Sequence, residues 1–312
     1  MSESLLLSGD KSDVEVVPPR LSRLAMIVSL VFLLIGSISQ NTVLQFWVKS
    51  FPDGVGGPYF ILMWSSSLFA CIFGLMYLVK QQIRKDAVVS TRKFIWNYMV
   101  QGFANAINGV LVVYSSPITR TPPILFSVLI NMGLVFGMFL TKYMIPTKRN
   151  INYFNMSVGI SLRCLAGSIG ITVAGDIVAK KGSDSEFGWI TVFWMAALVA
   201  ATFFGALYNV LQELYLLKTS SLVLPQEQNT NLLKTLFWTS VFQLVFMVLF
   251  FWVDLIPGFG YSSSINGFLS NFGEEVKCFF FSSACGAKNF LFGISFSIGY
   301  IITYFAGMFL NK

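Results

Sequence analysis

Along one very apolar stretch of this 312-residue chain, Asn97, Gln101, Asn105 and Asn108 are spaced by four, four and three. On a helix that spacing makes one continuous face of carboxamides. A short proline-rich corner follows, Ser116 to Pro123, and beyond it Ser127 and Asn131 lie one turn apart. Amides in an apolar hairpin are costly to bury unless they pair with one another or line water. Two chemistries fit: a hydrogen-bonding path for a polar solute, or glue between helices. Four amides on one face favour the path.

Other polar groups sit in apolar surroundings elsewhere. The first apolar segment holds Gln40, Asn41 and Thr42; a later one holds Asn209, Gln212 and Glu213; another holds Gln243. Arg163 falls near the middle of a segment of its own. At the centre of a bilayer an arginine costs about 2.5 to 3.5 kcal/mol on insertion scales, so it is expected to face the bundle interior or water. There it would bind an anionic group of a solute, pair with Glu213, or hydrogen-bond backbone carbonyls.

No catalytic residue, metal site or cofactor site is read from the sequence. The chain has no histidine, which removes the imidazole base, the histidine zinc ligand and the serine–histidine dyad. It also lacks the glycine-rich phosphate loop ending in Lys-Ser or Lys-Thr. The expectation is a protein that is not an enzyme.

The elements that must position these groups follow from composition. Hydrophobic residues make up 55% of the chain and charged ones 11%, whereas a soluble domain carries roughly a quarter charged. The chain is an integral membrane protein, with lipid as its first partner. Apolar runs of about 20 residues occur at Leu24–Phe46, Pro58–Val79, Phe94–Ser115, Pro122–Tyr143, Tyr153–Ala174, Ile190–Leu217, Leu232–Ile256 and Phe290–Leu310. The fold class is therefore an all-α polytopic transmembrane bundle with eight spans.

The formal net charge is +7, but the basic residues cluster in short connections between apolar runs and form no surface for nucleic acid. Fourteen lysines and arginines fall on the side of the N-terminus and six on the other. The positive-inside rule then puts both termini in the cytosol. Residues 1–22 read as a disordered cytosolic tail, in which Ser2 to Leu7 resembles an acidic dileucine sorting signal.

After the seventh span, Ile265, Phe268, Leu269, Phe272 and Val276 recur at three and four residues, as in a helix lying in the membrane interface. Cys278 and Cys285 follow on the non-cytosolic side. In an oxidising compartment they would form a disulfide pinning this loop; otherwise they are two free thiols. Cys71 and Cys164 lie in apolar runs, where buried small hydrophobes are expected.

Three stretches resemble the chloroquine-resistance-transporter-like family of the drug/metabolite transporter superfamily. Ile118-Thr119-Arg120-Thr121, followed by Ile124 to Leu129 and Asn131-Met132, is similar to that family's Thr-Arg-Thr turn and the helix after it. Asn209 with Glu213, before Lys218, resembles the Asn-x-x-x-Glu sequence ending its sixth helix. Gln40 to Leu44 resembles a motif of its first helix. The resemblance covers about Leu24 to the chain end.

It implies a vacuolar, lysosomal or other endomembrane transporter that moves amino acids, peptides, thiols or cationic amphiphiles by alternating access. In that family transport is often driven by protons, from a cavity between two inverted five-helix halves. Asn41, Thr42, Gln101, Asn105, Asn108, Arg120, Ser127, Asn131, Arg163 and Asn209 would then line the pathway, with Glu213 as the candidate for coupling. Arg120 would stand at the lumenal mouth.

Three features depart from the family pattern. Eight spans are seen where ten are expected, so residues 23–312 read as a C-terminally incomplete transporter domain. Thr42 stands where a basic residue is common. Amides replace acidic residues in the third span, and the last span offers Ser297, Gly299 and Tyr300. Two other functions compete: a truncated, non-transporting membrane scaffold or partner, and a nucleotide-sugar or sugar-phosphate exchanger. The exchanger would need lysines inside the late spans, which the lysines here are expected to avoid.

Overall fold

The computed structural model describes residues 23–52, 56–84, 91–145, 189–220, 228–281 and 285–310. They form α1 (Arg23–Lys49), α2 (Pro58–Arg84), α3 (Thr91–Ser115), α4 (Pro123–Ile130), α5 (Met132–Met144), α6 (Trp189–Ser220), α7 (Gln228–Leu249), a 3-10 segment (Phe250–Leu255), α8 (Ile265–Phe280) and α9 (Gly286–Leu310). The protein is an all-α polytopic bundle. Among the described residues, six helical segments are long and apolar enough to cross a membrane. The fifth expected span, with Arg163 and Cys164, lies outside the described residues.

The third expected span is a 25-residue helix, and its amides keep it less apolar than the six. It tolerates them because it is packed against three helices, α2, α6 and α7. Protein groups rather than lipid therefore surround its polar positions. The fourth expected span is present as Pro123–Met144, long and apolar enough to cross, with a one-residue interruption in its helix. It breaks at Asn131, whose amide N–H turns back to Val128 in a tightened turn before α5 begins.

Side-chain contacts give the helix directions. Gln101 meets Thr239 and Asn105 meets Gln243, so α3 and α7 run parallel. Tyr98 meets Tyr215 and Asn108 meets Ala201, so α3 and α6 run antiparallel. Trp47 bonds Asn289, while Gly36 faces Gly299 and Thr303, so α1 and α9 are antiparallel. Tyr59 bonds the Met247 carbonyl and Gly74 faces Phe237, so α2 and α7 are antiparallel. Trp64 bonds Ser297 and Phe69 stacks on Tyr300, which makes α2 and α9 parallel. Exchanging α1 with α6, α2 with α7 and α3 with α9 leaves this pattern of pairs and directions unchanged.

Close crossing of α3 and α7 depends on Gly102. A Cβ there would fall 2.6 Å from Phe242 Cβ and 2.9 Å from the Gln243 nitrogen. Such proximity lets the amides of α3 reach α7 directly.

α8 packs one side on the start of α2, where Tyr59 meets Phe268 and Phe60 meets Phe279, with ring centroids 4.9 and 5.1 Å apart. The interfacial pattern is thus only partly lipid-like: Ile265 and Leu269 are about 60% exposed (58% and 60%), while Phe268 is buried. A disulfide joins Cys278 to Cys285, Cα to Cα 5.4 Å. Cys71 is exposed, not buried, because it points away from the neighbouring helices.

Candidate functional site

The amide face divides between two neighbours. Gln101, 1% exposed, accepts from Thr239 Oγ1 at 3.4 Å through Oε1. Asn105, 7% exposed, donates from Nδ2 to Gln243 Oε1 at 2.7 Å. Asn108 instead turns to α6 and donates to the Ala201 carbonyl at 2.7 Å. Asn97, at the other end of the row, is exposed. The spacing places Gln101, Asn105 and Asn108 near one another, but each is paired to a different helix position.

Tyrosines extend this polar centre. The Tyr98 and Tyr215 hydroxyls are 2.7 Å apart. The Tyr304 hydroxyl lies within hydrogen-bonding reach of Tyr208, Tyr300 and Asn105, and the Tyr300 and Tyr304 rings stack at 5.0 Å. Groups from α3, α6, α7 and α9 therefore meet inside the bundle. Sequence reasoning missed Tyr208 and Tyr304; the one signal available was Tyr300 and Tyr304 one helical turn apart.

Other expected pathway residues do not join this centre. Ser127 is exposed and donates to the Pro123 carbonyl at 3.0 Å, and Asn131, also exposed, donates to the Ser127 carbonyl at 2.8 Å. Both are satisfied by carbonyls one turn back along their own segment, so neither bonds the α3 amides. Thr42, Asn209 and Glu213 are exposed, and Asn41 is half-buried. Arg163 lies outside the described residues. Lys234 is buried at 4% exposure, so lysines do not wholly avoid the interior.

A second polar cluster gathers at the end of the bundle that carries the disulfide. Arg120 donates to the carbonyls of Tyr114 and Phe259, both at 2.8 Å, and its guanidinium lies over the Trp194 and Tyr261 rings at 4.1 and 4.8 Å. Burial pushes its pKa down, opposed by Tyr261, Tyr114 and Asp254. Arg120 is thus a cross-link among the corner, α6 and the loop after α7, not a free charge at a mouth.

Asp254 accepts from Tyr114 Oη at 2.8 Å and the Tyr261 N–H at 3.3 Å on one oxygen, and from Ser262 Oγ at 2.7 Å on the other. Glu275 is 4% exposed. Its Oε1 accepts the Gly57 N–H at 2.6 Å, and its Oε2 is buried without a partner. Burial is the main reason its pKa rises to about 8; the Gly57 and Phe60 amides oppose the rise and Asp254 adds to it. Among the described residues no three His, Cys, Asp or Glu side chains come together as a metal site.

No protein-family model matches the chain. No curated protein matches it.

Proposed function

We propose that the chain is a secondary transporter of small organic solutes, working by alternating access across an endomembrane with both termini in the cytosol. The observation that carries this reading is the gathering of Gln101, Asn105 and Asn108 on α3, Tyr208 on α6, Gln243 on α7 and Tyr300 and Tyr304 on α9 inside the bundle. Amides and hydroxyls can exchange helix-to-helix bonds for bonds to a polar solute at little net cost, which suits a site that opens and closes. The exchange-symmetric helix pairing supports two inverted halves, the arrangement of the chloroquine-resistance-transporter-like family that the sequence resembles. Solutes of the amino acid, peptide, thiol or cationic amphiphile classes, and coupling to protons, follow from that resemblance.

One observation favours the competing scaffold reading: the amides of α3 are already paired across helices. Uptake by purified protein in lipid vesicles, on a panel of these solutes with and without an imposed pH gradient, separates the two. The transport reading expects uptake of at least one class, and loss of it in Asn105→Leu with Asn108→Leu. Uptake that persists in a folded double variant overturns the assignment of the site; no uptake of any solute favours the scaffold.

A further inference from the structure

The carboxyl of Glu275 sits where a charge has little support. The side chain is more than nine-tenths buried, Oε1 accepts the Gly57 N–H, the Phe60 amide at the start of α2 also acts on the carboxyl, and Oε2 has no hydrogen-bond partner. The facing groups are Tyr59 on α2, Tyr114 on α3, Asp254 on the 3-10 segment and Tyr261 on the loop before α8, with Arg120 beyond Tyr261. None offers Glu275 a cation: the Arg120 guanidinium is committed to two carbonyls and two rings. On α8 itself, Glu274 and Lys277 pair with each other on the exposed side at 2.9 Å.

Asp254 differs, with three donors on its two oxygens. Of the two neighbouring buried carboxyls, Glu275 is therefore the one that a proton serves. A neutral carboxylic acid loses far less on burial than a carboxylate.

The contact that seats Glu275 also joins two elements. Gly56 and Gly57 stand at φ of 101° and 102°, a left-handed conformation that glycine adopts freely. It aims the Gly57 N–H at Oε1. α8 is tied to α9 by the disulfide at one end, and Ser264 caps it at the other by accepting the Gly267 N–H at 3.1 Å. Its inner face can lift from the turn before α2 only by exposing Glu275.

We propose that Glu275 is a proton-binding site, loaded when α8 seats against the turn before α2 and emptied when α8 lifts away. In water the carboxyl returns to the ordinary range, so seating takes up one proton from solution across the interval between that range and about 8. The sign follows: proton affinity is raised in the seated form, so seating is fully favoured in acid and weakens as pH rises through about 8. The site stands independently of the transport reading, since it concerns α8 whatever the bundle carries.

Hydrogen exchange on the full chain in lipid nanodiscs, corrected for intrinsic rates, tests this on residues 265–281. The wild type should open about tenfold more at about pH 9 than at about pH 7, given a site of pKa about 8. Glu275→Gln should remain protected and lose that dependence, while Glu274→Gln should keep it. A flat wild-type profile, or an unchanged response in Glu275→Gln, overturns the proposal. Should Glu275→Gln fail to fold, the wild-type and Glu274→Gln profiles decide alone: an opening that rises with pH from the ordinary carboxyl range and levels off above about 8 in both supports the site, and its absence refutes it.

Discussion

Asn105 on α3 donates to Gln243 on α7 at 2.7 Å, and both side chains are buried. Removing one partner leaves a buried carbonyl or amide unsatisfied, whereas removing both leaves two apolar surfaces in contact. Within membranes such pairs couple by about 0.6 kcal/mol on average, and up to about 1.7. Asn105→Leu should therefore lower stability by about 1 kcal/mol or more, and Asn105→Leu with Gln243→Leu should cost less than the sum of the single variants. Unfolding in detergent through a double-mutant cycle measures this; strict additivity would contradict the direct pair.

Gly102 sets the distance between the same two helices. Valine there would meet Phe242 Cβ and the Gln243 backbone well inside van der Waals contact, and overpacking of this kind costs about 1 to 3 kcal/mol. Gly102→Val should lower the melting temperature and weaken the Asn105–Gln243 coupling together, because the helices must part. A stable variant with coupling intact would show that α3 can shift without cost.

Arg120 uses two separate nitrogens for two carbonyls and covers two rings. Lysine keeps the charge but not the planar fork or the stacking. Arg120→Lys should be destabilising by about 1.5 to 3 kcal/mol, the usual worth of a hydrogen bond to a charged group. A thermal shift close to that of Arg120→Ala would confirm that geometry and not charge matters here. Equal stability of Arg120→Lys and wild type would refute it.

The disulfide closes a short loop, with seven residues of separation. On the chain-entropy relation a loop of that size is worth about 2.5 kcal/mol. Cys278→Ser with Cys285→Ser should loosen the start of α9, where Asn289 bonds both Trp47 and Cys278, while leaving the α3–α7 contacts protected. Hydrogen exchange resolved by segment is the measurement, and a loss spread evenly over the bundle would argue against a local role.

What could be read in the sequence was local. Apolar run length marked the helices, the spacing of Gln101, Asn105 and Asn108 marked a polar row, and the period of residues 265–276 marked an amphipathic helix. Each signal depends only on residues within a turn or two of one another. Even so, Ser127 and Asn131 look like a continuation of that row and are not: both are exposed and bond carbonyls four residues back in their own segment.

The sequence by itself determined an all-α membrane bundle, the apolar segments and the two cysteines able to join. The tertiary structure alone decided which amide meets which partner, since Asn105 and Gln243 are 138 residues apart and no local period links them. It also decided that Glu275 is buried while its neighbour Glu274 is in the open. Adjacent helical residues lie about 100° apart around the axis, so the angle at which α8 lies on α2 selects which carboxylate loses its water.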